Sequence, residues 1–299
     1  MQATYWVAGH LTAFFSIFDG PEDLLYKGSE GTGFSLDRGV LTDVRKEQGA
    51  KDHNRVFFDQ VQVGPGVAEV TENVLSQLKP LMGTSSVSVR HTFQVPMGSG
   101  FGASAAGAVG TAFAVRDALE LALDDLSTWQ VAHKAEVQSR AGLGDVLGLY
   151  QQERGLELRV KAGAPGVGEV RKIVVPDSYN LYTVSFGPLS TKSVLGDHTS
   201  RQNITRQGNQ AMRSFYHQPT FENFLTQAAA FCKAIGLASP QVLELIDLAE
   251  ERGGHASQIM LGDGLFLFSG PEVDLSGLAT IPLRQETLTP QSVRKISPD

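Results

Sequence analysis

Pro96-Met97-Gly98-Ser99-Gly100-Phe101-Gly102-Ala103-Ser104-Ala105-Ala106 joins two segments of different period. Before it, Val87, Val89, His91, Phe93 and Val95 alternate with Ser88, Arg90, Thr92 and Gln94, the pattern of a half-buried strand ended by Pro96. After it, residues 103–123 are rich in Ala and Leu and free of proline, which favours a helix. The stretch is a glycine-rich turn from a strand into a helix N-terminus. Glycines there let backbone N–H groups point inward, and the helix dipole adds positive potential, a combination suited to a phosphate. Ser104 would offer a hydroxyl to a Mg²⁺ that bridges phosphates. Other readings stay open. Gly98-x-Gly100-x-x-Ala103 satisfies a dinucleotide fingerprint, although the acidic residue expected after a second parallel strand is lacking. Gly102-Ala103-Ser104-Ala105-Ala106 is a relaxed nucleophile elbow, with Asp197 and His255 following in a hydrolase order. The plainest alternative is a tight turn whose small residues serve packing.

Working outward, Gly107 and Gly110 share one face of the expected helix and would let it approach a sheet closely. Ser127-Thr128-Trp129-Gln130 has the spacing of a capping box, opening a second helix to about Arg140 that Gly142-Leu143-Gly144-Asp145 breaks. Strands are expected over 156–160 and 181–186, separated by a glycine turn at 163–168. An amphipathic helix over 221–235 is stopped by Gly236, and Ser239, Pro240 and Gly253 bracket another. Residues 258–268 read as a hairpin folded at Asp263-Gly264. Strands and helices interleave without regular βαβ alternation, so the fold class expected is α+β. Pro176, Asp177 and Ser178 form a seam between lobes of residues 1–176 and 177–299.

Composition removes several functions. The formal charge is 25 − 32 = −7 with no basic block, a poor basis for nucleic-acid binding. No run of about 18 apolar residues is present to span a membrane. The first ten residues lack a basic segment and a cleavage pattern, so no secretory signal is expected. Cys232 is alone, which excludes internal disulfides and Cys-rich zinc sites and fits a reducing cytoplasm. Glycine, at 32 of 299 residues, exceeds the usual ~7%. Its clusters at 28–33, 98–110, 142–144 and 163–168 are flanked by apolar segments, so they read as loops of a folded protein rather than as linkers.

The 96–106 stretch resembles the central motif of the GHMP kinases, Pro-x-x-x-Gly-Leu-Gly-Ser-Ser-Ala-Ala, with Phe101 for Leu and Ala103 for the first Ser. Val7-Ala8-Gly9-His10 occupies the place of the family's Ala-Pro-Gly-Lys, so His10 stands where Lys is usual. Ala135-Glu136 and Gly142-Leu143-Gly144-Asp145 resemble the segment that carries the family's metal-binding Glu and catalytic Asp. Of the third motif only Gly262-Asp263-Gly264 remains. Lys27-Gly28-Ser29, Leu36-Asp37-Arg38-Gly39-Val40, His133-x-Ala135-Glu136-Val137 and Pro165-Gly166-Val167-Gly168-Glu169-Val170 resemble the archaeal pantoate kinase branch, as does Ser185-Phe186-Gly187-Pro188-Leu189-Ser190-Thr191-Lys192. The likeness runs from Gly9 to about Phe268.

The resemblance implies a GHMP kinase-like two-lobe fold, with a ribosomal S5 domain 2-like N-terminal lobe and an α/β sandwich C-terminal lobe. It implies ATP and Mg²⁺ as cofactors and phosphorylation of pantoate to 4-phosphopantoate on the archaeal route to coenzyme A. Pro96, Gly98, Ser99, Gly100, Phe101, Gly102, Ala103, Ser104 and Ala105 would bind ATP, and Ser104 and Glu136 the metal. Asp145 would orient or accept the proton of the acceptor hydroxyl, beside His10. His10, Lys27, Arg38 and Lys192 are candidates for the substrate carboxylate, which needs a cationic or N–H partner. Each has a plainer role available. His10 would serve equally as a hydrogen-bonded structural residue, and the three cations as solvated charges. Asp145 could cap the helix beginning at Val146, and Glu136 could pair with Arg140 on a helix surface. Open alternatives are a GHMP kinase acting on a mevalonate- or homoserine-like acceptor, a serine hydrolase using Ser104, and a nucleotide-binding module without turnover. A homodimer is compatible with all of them.

Overall fold

A computed structural model of the chain describes residues 1–47, 53–151, 153–189, 191–275, 278 and 281–297, with backbone alone at 191–193. Its frame is a long antiparallel hairpin, β1 (Gln2–Phe18) with β2 (Gly28–Lys46), bent where the register shifts at Ala8/Gly9 and Thr12/Phe14. After β3 (Arg55–Phe58) and β4 (Val61–Gln62), α1 (Glu69–Met82) carries the chain back to β5 (Val87–Phe93). That strand is parallel to β3 and antiparallel to the second half of β2. Val87, Val89 and His91 are buried on one face of β5, as the alternation predicts.

The glycine loop delivers α2 (Ala103–Ala118) onto β1 and β2. A Cβ at Gly110 would lie 2.5 Å from Thr42 Oγ1, so the close approach requires glycine. This helix is shorter than the expected 103–123, because Glu120 takes a left-handed φ of +53° and turns the chain. In α3 (Asp125–Gln138) the cap lies three residues before the expected box. The Asp124 carboxylate accepts from Ser127 N, and the Thr128 hydroxyl turns inward to Asp124 O. The short α4 (Asp145–Tyr150) packs on β1; then β6 (Leu156–Lys161) and β7 (Glu169–Ile173) extend from the first half of β2.

The second lobe contains β8 (Asn180–Pro188), α5 (Thr191–Gly196), α6 (His198–His217), α7 (Phe221–Ile235), α8 (Pro240–Glu251), β9 (His255–Gln258), β10 (Gly262–Ser269) and β11 (Arg284–Glu286). Its antiparallel sheet runs β11-β8-β10-β9. The β9–β10 hairpin turns at 259–261, with Leu261 at φ +63°, and not at the expected Asp263-Gly264. Gly264 sits inside β10 at a register shift, where a Cβ would collide with the Val184 carbonyl. The last strand, β12 (Val293–Ile296), returns across the expected seam to pair with β1.

Phe14 and Phe34 of the first sheet meet Phe215 of α6, Phe224 and Phe231 of α7, and Phe266 and Phe268 of β10, with ring centroids 5.3–6.5 Å apart. The two α+β lobes therefore share a buried aromatic core, which fixes their relative placement. Among the described residues no helix is long and apolar enough to cross a membrane.

Candidate active site

A cavity of about 670 Å³ opens between the glycine loop, the start of α1, residues 139–145 and the 260–261 turn. Gly100 and Gly102 both take left-handed φ, +80° and +64°. A Cβ at Gly100 would lie 2.6 Å from the Met260 carbonyl, so conformation and space both require glycine. Gly102 precedes α2 and no side chain caps that helix, which leaves its first N–H groups available to a ligand. Gly98, Gly100, Phe101, Gly102, Ala103 and Ser104 line the cavity. Pro96, Ser99 and Ala105, also expected at the nucleotide, do not line it. The Ser99 hydroxyl donates to Met97 O, and Ala105 is fully buried in the core.

Two carboxylates stand at the far end of the loop. Glu136, on α3, is buried and neither oxygen has a hydrogen-bond partner, so it makes no surface pair with Arg140. Burial, and then the charge of Asp145, push its pKa up to about 8, while Ser104 pulls the other way. Asp145 opens α4, but Gly144 is the cap residue and no side chain caps this helix. Its carboxylate instead accepts from His10 Nδ1 at 3.0 Å and from Thr12 Oγ1 at 3.4 Å. Burial would raise the Asp145 pKa; the hydrogen bond and charge of His10, the charge of Arg159 and the Thr12 hydroxyl outweigh it and hold it below the usual range. A Cβ at Gly142 would collide with Glu136 Oε2 and lie 3.0 Å from Asp145 Oδ2, so both carboxylates converge on the Gly142 backbone.

His10 is fully buried and does not line the cavity, which corrects its expected direct contact with substrate. It reaches the site through Asp145, and its Nε2 lies 3.5 Å from Glu157 Oε2. Burial alone would lower the His10 pKa, but Asp145 and Glu157 raise it above the ordinary value. The two carboxylates therefore favour the charged form of the ring.

Sequence reasoning missed Glu157 and Arg159, both fully buried on β6. The available signal was two charges at alternate positions of an apolar strand, Leu156-Glu157-Leu158-Arg159-Val160. Arg159 Nη2 donates to Thr12 Oγ1 at 3.4 Å, and Nε and Nη1 have no partner. A Cβ at Gly144 would lie 2.7 Å from Arg159 Nε and would collide with Ser29 Oγ, so the guanidinium backs the Ser29–Gly144 wall of the cavity.

The other expected cations stand elsewhere. Arg38 spans the lobes: its Nε donates to both Glu286 oxygens at 2.9 and 2.8 Å, its Nη1 to Gln94 O at 2.8 Å, and it lies over the Phe101 ring. Lys27 is half-buried and off the cavity; its carbonyl meets His133 Nε2 at 3.0 Å. The side chain of Lys192 lies outside the described residues. Among the described residues no Lys or Arg lines the cavity. The hydrolase order is not assembled either: Asp197 caps α6, His255 is exposed against Tyr179, and neither lines the cavity with Ser104.

A family model described as the GHMP kinases N terminal domain matches residues 67–152. The pantoate kinase of Thermococcus kodakarensis is 35% identical over 268 residues, covering 87% of this chain and 85% of that one. The pantoate kinase of Methanocaldococcus jannaschii is 30% identical over 264 residues, covering 88% and 92%. A solved structure titled "Phosphotransferase related to CoA biosynthesis pathway" superposes with a TM-score of 0.87 at 30% identity, over 99% of both chains.

Proposed function

The chain belongs to the pantoate kinase branch of the GHMP kinases, and from that premise we propose that it transfers the terminal phosphoryl group of ATP to the hydroxyl of pantoate, giving ADP and 4-phosphopantoate. The observation that carries this reading is Asp145. It is an ionised carboxylate, spared from helix capping, set on a cavity wall that the uncapped N-terminus of α2 shares.

Phosphoryl transfer asks a protein mainly for positioning and charge stabilisation. The N–H groups at 102–105 hold the phosphates, a role the open helix terminus supports. Ser104 and Glu136 fit a Mg²⁺: a buried carboxylate without a partner beside a hydroxyl is the small oxygen set this ion takes together with phosphates and water. Bound there, the ion would neutralise charge on the phosphate oxygens. Asp145 accepts a hydrogen bond from the acceptor hydroxyl and aligns its oxygen with the phosphorus. As the new O–P bond forms and the bond to ADP breaks, the hydroxyl proton passes to Asp145. His10, behind it, keeps the carboxylate ionised until then.

The acceptor's carboxylate is assigned to the wall formed by Ser29, Thr12 and Gly144. Arg159 stands behind it, off the cavity, with two nitrogens that have no hydrogen-bond partner, and its charge favours an anion on that wall. The single buried Cys232 is compatible with a reducing cytoplasm. ADP release, measured with ATP·Mg²⁺ against pantoate, pantothenate, mevalonate and homoserine, tests the assignment. Turnover on pantoate is expected. Turnover on mevalonate alone would overturn the acceptor, and none on any would overturn the kinase.

A further inference from the structure

Glu157 touches neither the cavity nor any group that reacts, yet it is a fully buried carboxylate with a fixed position. Its Oε1 accepts from the Ser35 hydroxyl at 2.9 Å, and its Oε2 faces His10 Nε2 at 3.5 Å, an ion-pair distance rather than a formed hydrogen bond. The other ring nitrogen of His10 donates to Asp145 Oδ1 at 3.0 Å. The ring sits in a tight sleeve. A Cβ at Gly33 on β2 would lie 2.8 Å from its Cε1, and one at Gly148 on α4 would lie 2.9 Å from its Cδ2. The ring packs directly on both glycines, and each nitrogen faces a carboxylate oxygen. Only the doubly protonated imidazolium suits both faces. The other charged groups nearby are Arg159, on the same strand as Glu157, and Glu136, across Gly142 from Asp145.

We propose that Glu157 is a positioning residue for phosphoryl transfer. Its charge keeps the second proton on His10, so that Nδ1 always donates to Asp145 Oδ1 and the carboxylate meets the acceptor in one orientation. The sequence Ser35–Glu157–His10–Asp145 thus joins β2, β6, β1 and α4 behind the reacting centre. This inference rests on the kinase reading above, and it is a statement about the protonation of His10.

Glu157→Gln removes the charge and keeps the shape. Its kcat should fall about 10- to 100-fold, less than for loss of the proton acceptor itself. KM for pantoate and for ATP should stay within about twofold, because the changed group touches neither. The alkaline limb of the kcat profile should move to lower pH, and Glu157→Asp, which keeps the charge, should place it between Gln and wild type. A merely structural role would lower kcat or stability and leave the limb in place. An unmoved limb in both variants overturns the proposal. The NMR titration of His10 Cε1–H, followed without substrates, separates the two hypotheses. An unchanged midpoint in both variants refutes Glu157, whereas a wild-type protein that phosphorylates no acceptor refutes the kinase reading.

Discussion

Glu136 and Asp145 converge on the backbone of Gly142, and their surroundings push their pKa values in opposite directions. The first is pushed up to about 8 by burial and by the charge of the second; the second is held low by His10 and Arg159 against its own burial. Neighbouring carboxylates with divided pKa values mark divided roles. In the metal-free protein the sign of the linkage follows. The folded pKa of Glu136 lies above its unfolded value of about 4.3, so its contribution to stability is complete below that value and is lost as pH rises through about 8. Melting temperatures measured in EDTA between pH 6 and 9 should therefore fall more steeply for wild type than for Glu136→Gln. Parallel curves would show that Glu136 is not held protonated.

Asp145→Asn keeps the shape of the site and removes the proton acceptor. The kcat for ADP formation should fall by about 10²–10⁴-fold, the usual contribution of a positioned general base. Nucleotide affinity, measured by titration in the absence of acceptor, should change little, because the loop N–H groups are untouched. Activity within about tenfold of wild type would move the proton elsewhere.

Arg38 offers a test of a residue that sequence places at the substrate and geometry places between the lobes. It is tied to Glu286 on β11, and both side chains are largely buried, with 11% and 3% exposure. Breaking a buried pair from one side typically costs about 3–5 kcal/mol. Urea unfolding of Arg38→Ala should show a loss of that order while KM for pantoate stays near wild type. A raised KM at unchanged stability would return Arg38 to the substrate site.

What could be read along the chain was whatever the chain places side by side. The change of period around residues 96–106 gave the strand, the loop and α2, because each is specified locally. The Asp263-Gly264 turn failed because a strong local signal was overridden by the Val184 carbonyl, which needs a glycine inside β10. Glu157 and Arg159 went unnoticed within the expected strand at 156–160, because only the pairing of β6 with β2 buries them. The clusters at 28–33 and 163–168 had no local reason at all. A Cβ at Gly28 would lie 2.6 Å from Gly163 N, so each cluster exists in part to admit the other.

Gly142→Ala probes the convergence of the two carboxylates. Residue 142 does not require a left-handed backbone, so alanine is conformationally acceptable. Its methyl group would nevertheless run into Glu136 Oε2 and crowd Asp145 Oδ2. The folded state should persist by circular dichroism, with kcat reduced about tenfold or more and a higher Mg²⁺ concentration needed for half-maximal rate. Unchanged Mg²⁺ dependence would place the metal away from Glu136.

Arg159 tests the proposed place of the acceptor's carboxylate. Two roles compete: counter-charge to Asp145 and Glu157, or partner to an anion at the Ser29–Gly144 wall. Arg159→Lys separates them, because it keeps the charge and removes the planar fork that binds a carboxylate through two nitrogens. As counter-charge alone, lysine should serve, and KM for pantoate would stay unchanged. As the anion's partner it should not. Nε and Nη1 are the nitrogens left without protein partners, and a lysine cannot present both. KM for pantoate should then rise about tenfold or more, the scale expected when one side of a buried charged contact is lost, with KM for ATP unmoved. Isothermal titration of pantoate into the variant with a non-hydrolysable ATP analogue bound reads the same loss without turnover. An affinity equal to wild type would leave Arg159 as scaffolding for Asp145 only.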